Sequence, residues 1–252
     1  MLLLAHRGAS ADAPENTLEA FTEAVRQGAD GVELDAMACG SGEVVVCHDE
    51  RLERLAGQPW EVRTTPWWKL ARADVGSSLG FAPARIPLLE DVLDALPAHF
   101  LINIELKCDR VDDGGLVASV ARIVRERDLA GRVVVSSFNP LCLFRLAALA
   151  PTLRRGFLID PDKAWAPQAY VVSPLVSSHS VHPFHEACTP ERVAAWHEAG
   201  LRVAAWTVDD PRRARALREL GVSYLITNRP GRVREALRDA APEAGPPGMT
   251  AA

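Results

Sequence analysis

Alternating apolar and amphipathic segments predict an α/β protein, a (β/α)8 TIM barrel with a hairpin and a small cap insertion after the second barrel strand. Three observations lead there. The chain has 252 residues, 48% of them hydrophobic, enough for one large core. Nine short apolar segments, 2–5, 31–35, 44–47, 100–106, 132–137, 155–159, 178–182, 202–207 and 223–227, read as strands. Helical patterns separate most of them, and such alternation predicts a parallel sheet with helices outside.

Nine strands are one too many for a closed barrel of eight, and the second connection shows which to set aside. The residues between 35 and 44 are too few for a parallel crossover, which takes about a dozen. Cys39-Gly40-Ser41-Gly42-Glu43 carries turn chemistry instead. A hairpin turning between Gly40 and Ser41 puts residue 33 opposite residue 48, give or take one residue. Removing this arm leaves eight parallel strands, the number that closes a barrel.

The remaining elements follow in order. Met1 to Gly8 has too short an apolar run for a signal peptide or a membrane span and reads as the first strand. Asn16 or Thr17 caps a helix over 16–27. Residues 49–86, with Trp60, Trp67, Trp68 and three prolines, are too many for an ordinary loop and predict a cap. Its tryptophans are expected to anchor it to the barrel rather than to line the substrate entrance or touch lipid. Further helices are expected over 88–96, 116–127, 141–149, 190–199 and 211–220. A single catalytic domain is expected over 1–239. The Pro- and Gly-rich stretch 240–252 reads as a disordered tail.

Charge and cysteine usage narrow the function. A net charge of −5 and the lack of a basic stripe argue against a nucleic-acid partner. Five cysteines without paired C-x-x-C spacing argue against a disulfide framework or a zinc site and point to a reducing cytoplasm.

The chemistry gathers where strands end. Glu33 and Asp35, two residues apart on one strand, point to the same side. Glu105 holds the matching place on the next barrel strand. Three carboxylates without a thiolate make a hard oxygen site for one divalent cation, Mg2+ or Ca2+; simple ion pairing with Arg7 and Lys107 is the competing account. His6 and His48 flank the site as a candidate acid/base pair. Arg7 can fork onto phosphate oxygens and Lys107 adds a point charge.

These residues lie in stretches that closely resemble glycerophosphodiester phosphodiesterases: Ala5-His6-Arg7-Gly8-Ala9, Pro14-Glu15-Asn16-Thr17, Val32-Glu33-Leu34-Asp35, Val46-Cys47-His48-Asp49 and Asn103-Ile104-Glu105-Leu106-Lys107. Ser136-Ser137-Phe138, Trp206-Thr207-Val208 and Ile226-Thr227-Asn228-Arg229-Pro230 continue the likeness, which runs from residue 2 to about 237. The resemblance implies that His6 and His48 are acid and base, that Glu33, Asp35 and Glu105 bind the cation, and that Arg7 and Lys107 contact phosphate. It implies hydrolysis of a glycerophosphodiester to sn-glycerol 3-phosphate and an alcohol. The hairpin turn at 36–42 departs from the family pattern, and the variable cap leaves the alcohol open.

Lesser expectations attach to other residues. Trp206 could pack against glycerol, Glu15 could support the site, and His182 could line the pocket. His179, His182 and His185 are spaced by three, but Pro183 breaks any helix that would align them. Cys47 and Cys108 are expected to point away from the site. The rival enzyme is a lysophospholipase D whose cap offers an apolar groove; a noncatalytic phosphodiester-binding barrel is the rival outside enzymes. The expected partner is a small-molecule glycerophosphodiester, with no stable membrane anchoring and a monomer or homodimer as the assembly.

Overall fold

The computed structural model describes residues 1–160, 176 and 179–238. The expected tail at 240–252, and residue 178 of the seventh apolar segment, lie outside the described residues. The strands are β1 (Leu2–His6), β2 (Gly31–Ala38), β3 (Val44–Val46), β4 (Leu101–Leu106), β5 (Val133–Ser137), β6 (Arg154–Ile159), β7 (Ser180–Pro183), β8 (Arg202–Ala205) and β9 (Tyr224–Thr227). They run in the order β1-β9-β8-β7-β6-β5-β4-β2, and β1 also pairs with β2, closing a barrel of eight parallel strands. β3 lies outside it, antiparallel on β2.

The hairpin register differs from the expected one by a residue. Ala36 pairs with Val46, Met37 with Val45 and Ala38 with Val44. Cys39 and Glu43 close the turn through a 2.9 Å bond from the Cys39 amide to the Glu43 carbonyl. The loop therefore holds three residues, Gly40, Ser41 and Gly42, and ends on Gly42 at φ 98°. A two-residue turn would have centred the hairpin half a residue earlier.

The helices are α1 (Leu18–Arg26), the short α2 (Glu53–Ala56) and α3 (Trp67–Leu70) of the cap, α4 (Leu89–Ala95), α5 (Leu116–Glu126), α6 (Pro140–Leu149), α7 (Pro190–Glu198), α8 (Pro211–Glu219) and α9 (Pro230–Arg238). Thr17 caps α1 by accepting from the Ala20 amide, while Asn16 is turned to another task. Helix α9 was not expected; it buries only Pro230, Val233 and Ala236, too slight a stripe to stand out.

The main core is a jacket between strands and helices. Residues of β2, β4 and β5 pack with α1, α4 and α5 on one side, and those of β6 to β9 pack with α7, α8 and α9 on the other. Inside the barrel Leu4, Ala204, Tyr224 and Ile226 form a smaller apolar plug. Polar residues share that interior. A Cβ on Gly156 would come within 2.4 Å of the His182 ring, so the glycine makes room for a buried imidazole.

The cap has its own core. Leu52, Leu55, Val62, Leu70 and Ile86 pack against Val45 and Cys47 of the hairpin, with Trp60 and Trp67 half-buried over them. Trp68 departs from the expected anchoring role. It is 63% exposed, with the Arg72 guanidinium 5.7 Å from its ring.

Candidate active site

The site grows from the turn after β1. Arg7 and Gly8 both adopt left-handed backbone, at φ 56° and 82°. A Cβ on Gly8 would lie 2.5 Å from the Ala20 carbonyl carbon, so glycine is needed for α1 to approach. Arg7 accepts the rarer conformation because its neighbours hold it. Its amide donates to the Glu33 carbonyl at 2.9 Å and to Glu33 Oε2 at 3.1 Å, and its carbonyl accepts from the Asn16 amide at 2.9 Å.

Strand register then gathers the acids. His6 lies beside Glu33, Glu33 beside Asn103, and Asp35 beside Glu105. Ligand oxygens of Glu33, Asp35 and Glu105 lie within 4.8 Å of one another, and all three residues are buried. Arg7 Nε stands 3.0 Å from Asp35 Oδ2, and Lys107 Nζ stands 2.9 Å from Glu105 Oε1 and 3.8 Å from Asp35 Oδ1. The Asn16 amide also donates to Asp35 Oδ2 at 2.8 Å.

These contacts share the negative charge unevenly. Burial, then the charges of Asp35 and Glu105, pushes the Glu33 carboxyl well above the ordinary range. Burial raises Glu105 too, though Lys107 opposes it. At Asp35 burial also works upward, but Arg7 and then Lys107 outweigh it, and its carboxyl is held low. Three carboxylates against two cations leave charge uncompensated, and buried Asp35 Oδ1 has no hydrogen-bond partner. An all-oxygen donor set with this deficit fits a hard divalent cation.

The two histidines are held differently. His6 Nδ1 lies 2.7 Å from Asn228 Oδ1, and the orientation of that amide is set by its Nδ2, which donates to Asp209 Oδ2 at 2.7 Å. His6 therefore donates from Nδ1 and turns a bare Nε2 toward Glu33 Oε2, 3.8 Å away. Burial, and next the charge of Arg7, lowers the His6 pKa to about 4. His48 Nδ1 instead meets a carboxylate, Asp49 Oδ1, at 2.8 Å. Arg54 of α2 clamps Asp49 at 2.7 Å and Glu15 at 2.8 Å, and Glu15 in turn holds Arg7 at 2.9 Å.

One cavity of about 780 Å3 opens onto His6, Arg7, Glu33, His48, Asn103, Glu105 and Lys107. Its apolar wall comes from Phe138, Pro140, Leu141 and Trp206. Trp206 is fixed by its Nε1, which donates to the His182 carbonyl at 2.7 Å, and by edge contacts with Phe138 and Phe184 at 5.7 and 5.5 Å. No residue from 49 to 86 lines this cavity.

The structure thus brings together all eight residues singled out in the sequence. His182 is a correction: it lies buried against Ser180 Oγ at 2.8 Å and does not line the cavity, because Gly156 draws it into the barrel interior. Glu15 takes the supporting place expected of it. Cys47 and Cys108 pack away from the cavity, and all five cysteines are free and buried. Among the described residues no metal cluster includes His179, His182 or His185. Sequence reasoning gave no role to Asn228, Asp209, Asp49, Arg54 or Asn103. Of these, only Asp49, adjacent to His48, offered a local signal.

Fold and site together define a (β/α)8-barrel enzyme with carboxylates and histidines at the carboxyl ends of its strands, where such barrels carry their active sites. Known proteins give the family. The model of the glycerophosphoryl diester phosphodiesterase family matches residues 6–232, and the chain belongs to that family. It is 33% identical to a glycerophosphodiester phosphodiesterase of Caldanaerobacter subterraneus subsp. tengcongensis, over 91% of this chain and 94% of that one. It is 31% identical to a glycerophosphodiester phosphodiesterase of Bacillus altitudinis, over 94% of this chain and 99% of the other. Among solved structures, a phosphodiesterase of Oleispira antarctica in complex with the product sn-glycerol-3-phosphate superposes with a TM-score of 0.84 at 27% identity, covering 94% of this chain and 97% of that one. The chain is therefore a phosphodiesterase.

Proposed function

We propose that the enzyme hydrolyses glycerophosphodiesters to sn-glycerol 3-phosphate and a free alcohol. The observation that carries this is the convergence of three buried carboxylates, flanked by two histidines whose Nδ1 atoms are already engaged. Relatives named for this activity support it, as does the product held by the Oleispira antarctica enzyme.

Glu33, Asp35 and Glu105 would hold one divalent cation, Mg2+ or Ca2+ by their donor chemistry. Bound there, such an ion neutralises charge on the phosphate oxygens. The chain's own groups do the rest. His6, with Nδ1–H committed to Asn228, has its Nε2 lone pair free and takes the proton from the attacking oxygen. His48, whose Nδ1 meets the Asp49 carboxylate, turns Nε2 to the cavity and gives a proton from it to the departing alcohol. Arg7 and Lys107 offset the charge that grows on the nonbridging oxygens. One water is added across the phosphorus–oxygen bond, and the glycerol ester stays intact. Trp206 packs against the glycerol end.

The substrate is a small molecule, and five free thiols support a reducing cytoplasm as the place of work. No helix among the described residues is long and apolar enough to cross a membrane.

The test is to strip the protein of metal, add glycerophosphocholine, and restore Mg2+, Ca2+ or Mn2+ separately. Release of glycerol 3-phosphate and choline only with a cation is the expected result. Full turnover in the stripped protein would remove the carboxylates from their assigned role, and no turnover with any ion would remove the substrate.

A further inference from the structure

Asn103 is 1% exposed, yet both its amide atoms, Oδ1 and Nδ2, lack a hydrogen-bond partner although the residue lines the catalytic cavity. A buried primary amide left in this condition is costly and points to an occupant. The residue sits on β4 two positions before Glu105 and beside Glu33 in register, so its Cα lies about 6.6 Å further into the barrel than that of Glu105. Its other strand neighbour is Val134, which offers no side-chain partner.

The occupant's chemistry follows from the two unpaired atoms. A cation would engage Oδ1 and be repelled by the NH2 group. A hydroxyl satisfies both, donating to Oδ1 and accepting from Nδ2. Arg7 and Lys107 hold the phosphate level, and the part of a glycerophosphodiester that carries free hydroxyls on a short arm is its glycerol end.

We propose that Asn103 is a hydroxyl-reading residue for the glycerol moiety and makes the enzyme select glycerol diesters over phosphodiesters lacking that hydroxyl. The inference rests on the proposed glycerophosphodiester activity. Water-filled placement alone would make Asn103 a structural residue; a site built to bond a substrate hydroxyl penalises an analogue without it, because the amide is then stranded.

The experiment crosses substrate with variant. With the cation present, kcat/KM is measured for glycerophosphocholine, for the analogue lacking the 2-hydroxyl and for the analogue lacking the terminal hydroxyl. Wild-type protein, Asn103→Ala and Asn103→Ser are compared. In wild type, losing the hydroxyl that Asn103 reads is expected to cost about 10- to 100-fold, and in Asn103→Ala less than about threefold. Asn103→Ser, which keeps one donor and acceptor, restores part of the discrimination. The analogue that shows the collapse names the hydroxyl. Equal turnover of all three substrates by wild type, or penalties unchanged in the variants, would overturn the proposal. The wild-type arm decides the first point even if a variant fails to fold. Absence of glycerophosphocholine turnover in wild type would instead strike the activity itself.

Discussion

The barrel wall from β1 through β2 to β4 and the cap at residues 49–86 are neighbours that contribute in different ways. The wall supplies Glu33, Asp35 and Glu105, with His6 at the end of β1 and Arg7 and Lys107 just past β1 and β4. The cap, despite three tryptophans, contributes no lining residue; it reaches the chemistry through Asp49, which meets His48, and through Arg54, which clamps Asp49 and Glu15 behind the histidine and the arginine that touch the cavity. Reactive groups sit on short, register-fixed strand ends, and the insertion braces them. Perturbing the wall should therefore change chemistry strongly, and perturbing the cap should change it mildly.

The largest contrast is expected from Glu33→Gln. It should lower kcat about a thousandfold or more, yet stabilise the metal-free protein at neutral pH, because a carboxyl raised by burial and like charge resists ionisation. Urea unfolding with and without cation checks this. Wild type should gain stability from the ion and the variant should gain little.

A smaller, pH-dependent effect separates His6 from an ordinary histidine. With a folded pKa of about 4, lowered from 6.5, it stays neutral and able to accept a proton well below pH 6. Between pH 6.5 and 4 the unfolded chain binds a proton there that the folded chain does not. Its contribution to stability is thus complete above pH 6.5 and is lost as pH falls toward 4. Glu33 and Glu105, shifted upward, act in the opposite sense and favour the metal-free fold on acidification. Comparing unfolding midpoints of wild type and His6→Ala across this range should show the His6 slope as a difference.

The mildest effect belongs to the cap. Arg54→Ala should reduce kcat by less than about tenfold and stability by no more than about 1 kcal/mol, since its side chain is 45% exposed. A loss as large as that of His48→Ala would show that the cap takes part in the chemistry itself.

Much of the wall could be read from sequence because strand periodicity is short-ranged. Glu33 and Asp35 share a face by an alternation that needs no tertiary knowledge, and eight residues between two strands force a hairpin. The one-residue register difference came from Gly42, whose left-handed backbone lengthens the turn to three residues. Other features depend on distant meetings. The partner of His6 lies 222 residues downstream in Asn228, and Asn228 is aimed by Asp209, so no local pattern joins them. Trp60, Trp67 and Trp68 look equivalent in sequence; only packing shows two half-buried and the third turned outward.

The pairing of β1 with β9 sets an order of events during synthesis. His6 ends the first barrel strand, and its fixed tautomer waits for Asn228, which follows the last barrel strand. Chains grow and fold from the amino end. A growing chain can thus have the acids, Arg7 and His48 assembled while the His6 ring still lacks the partner that fixes its tautomer, and the site is complete only once β9 and Asn228 have been made.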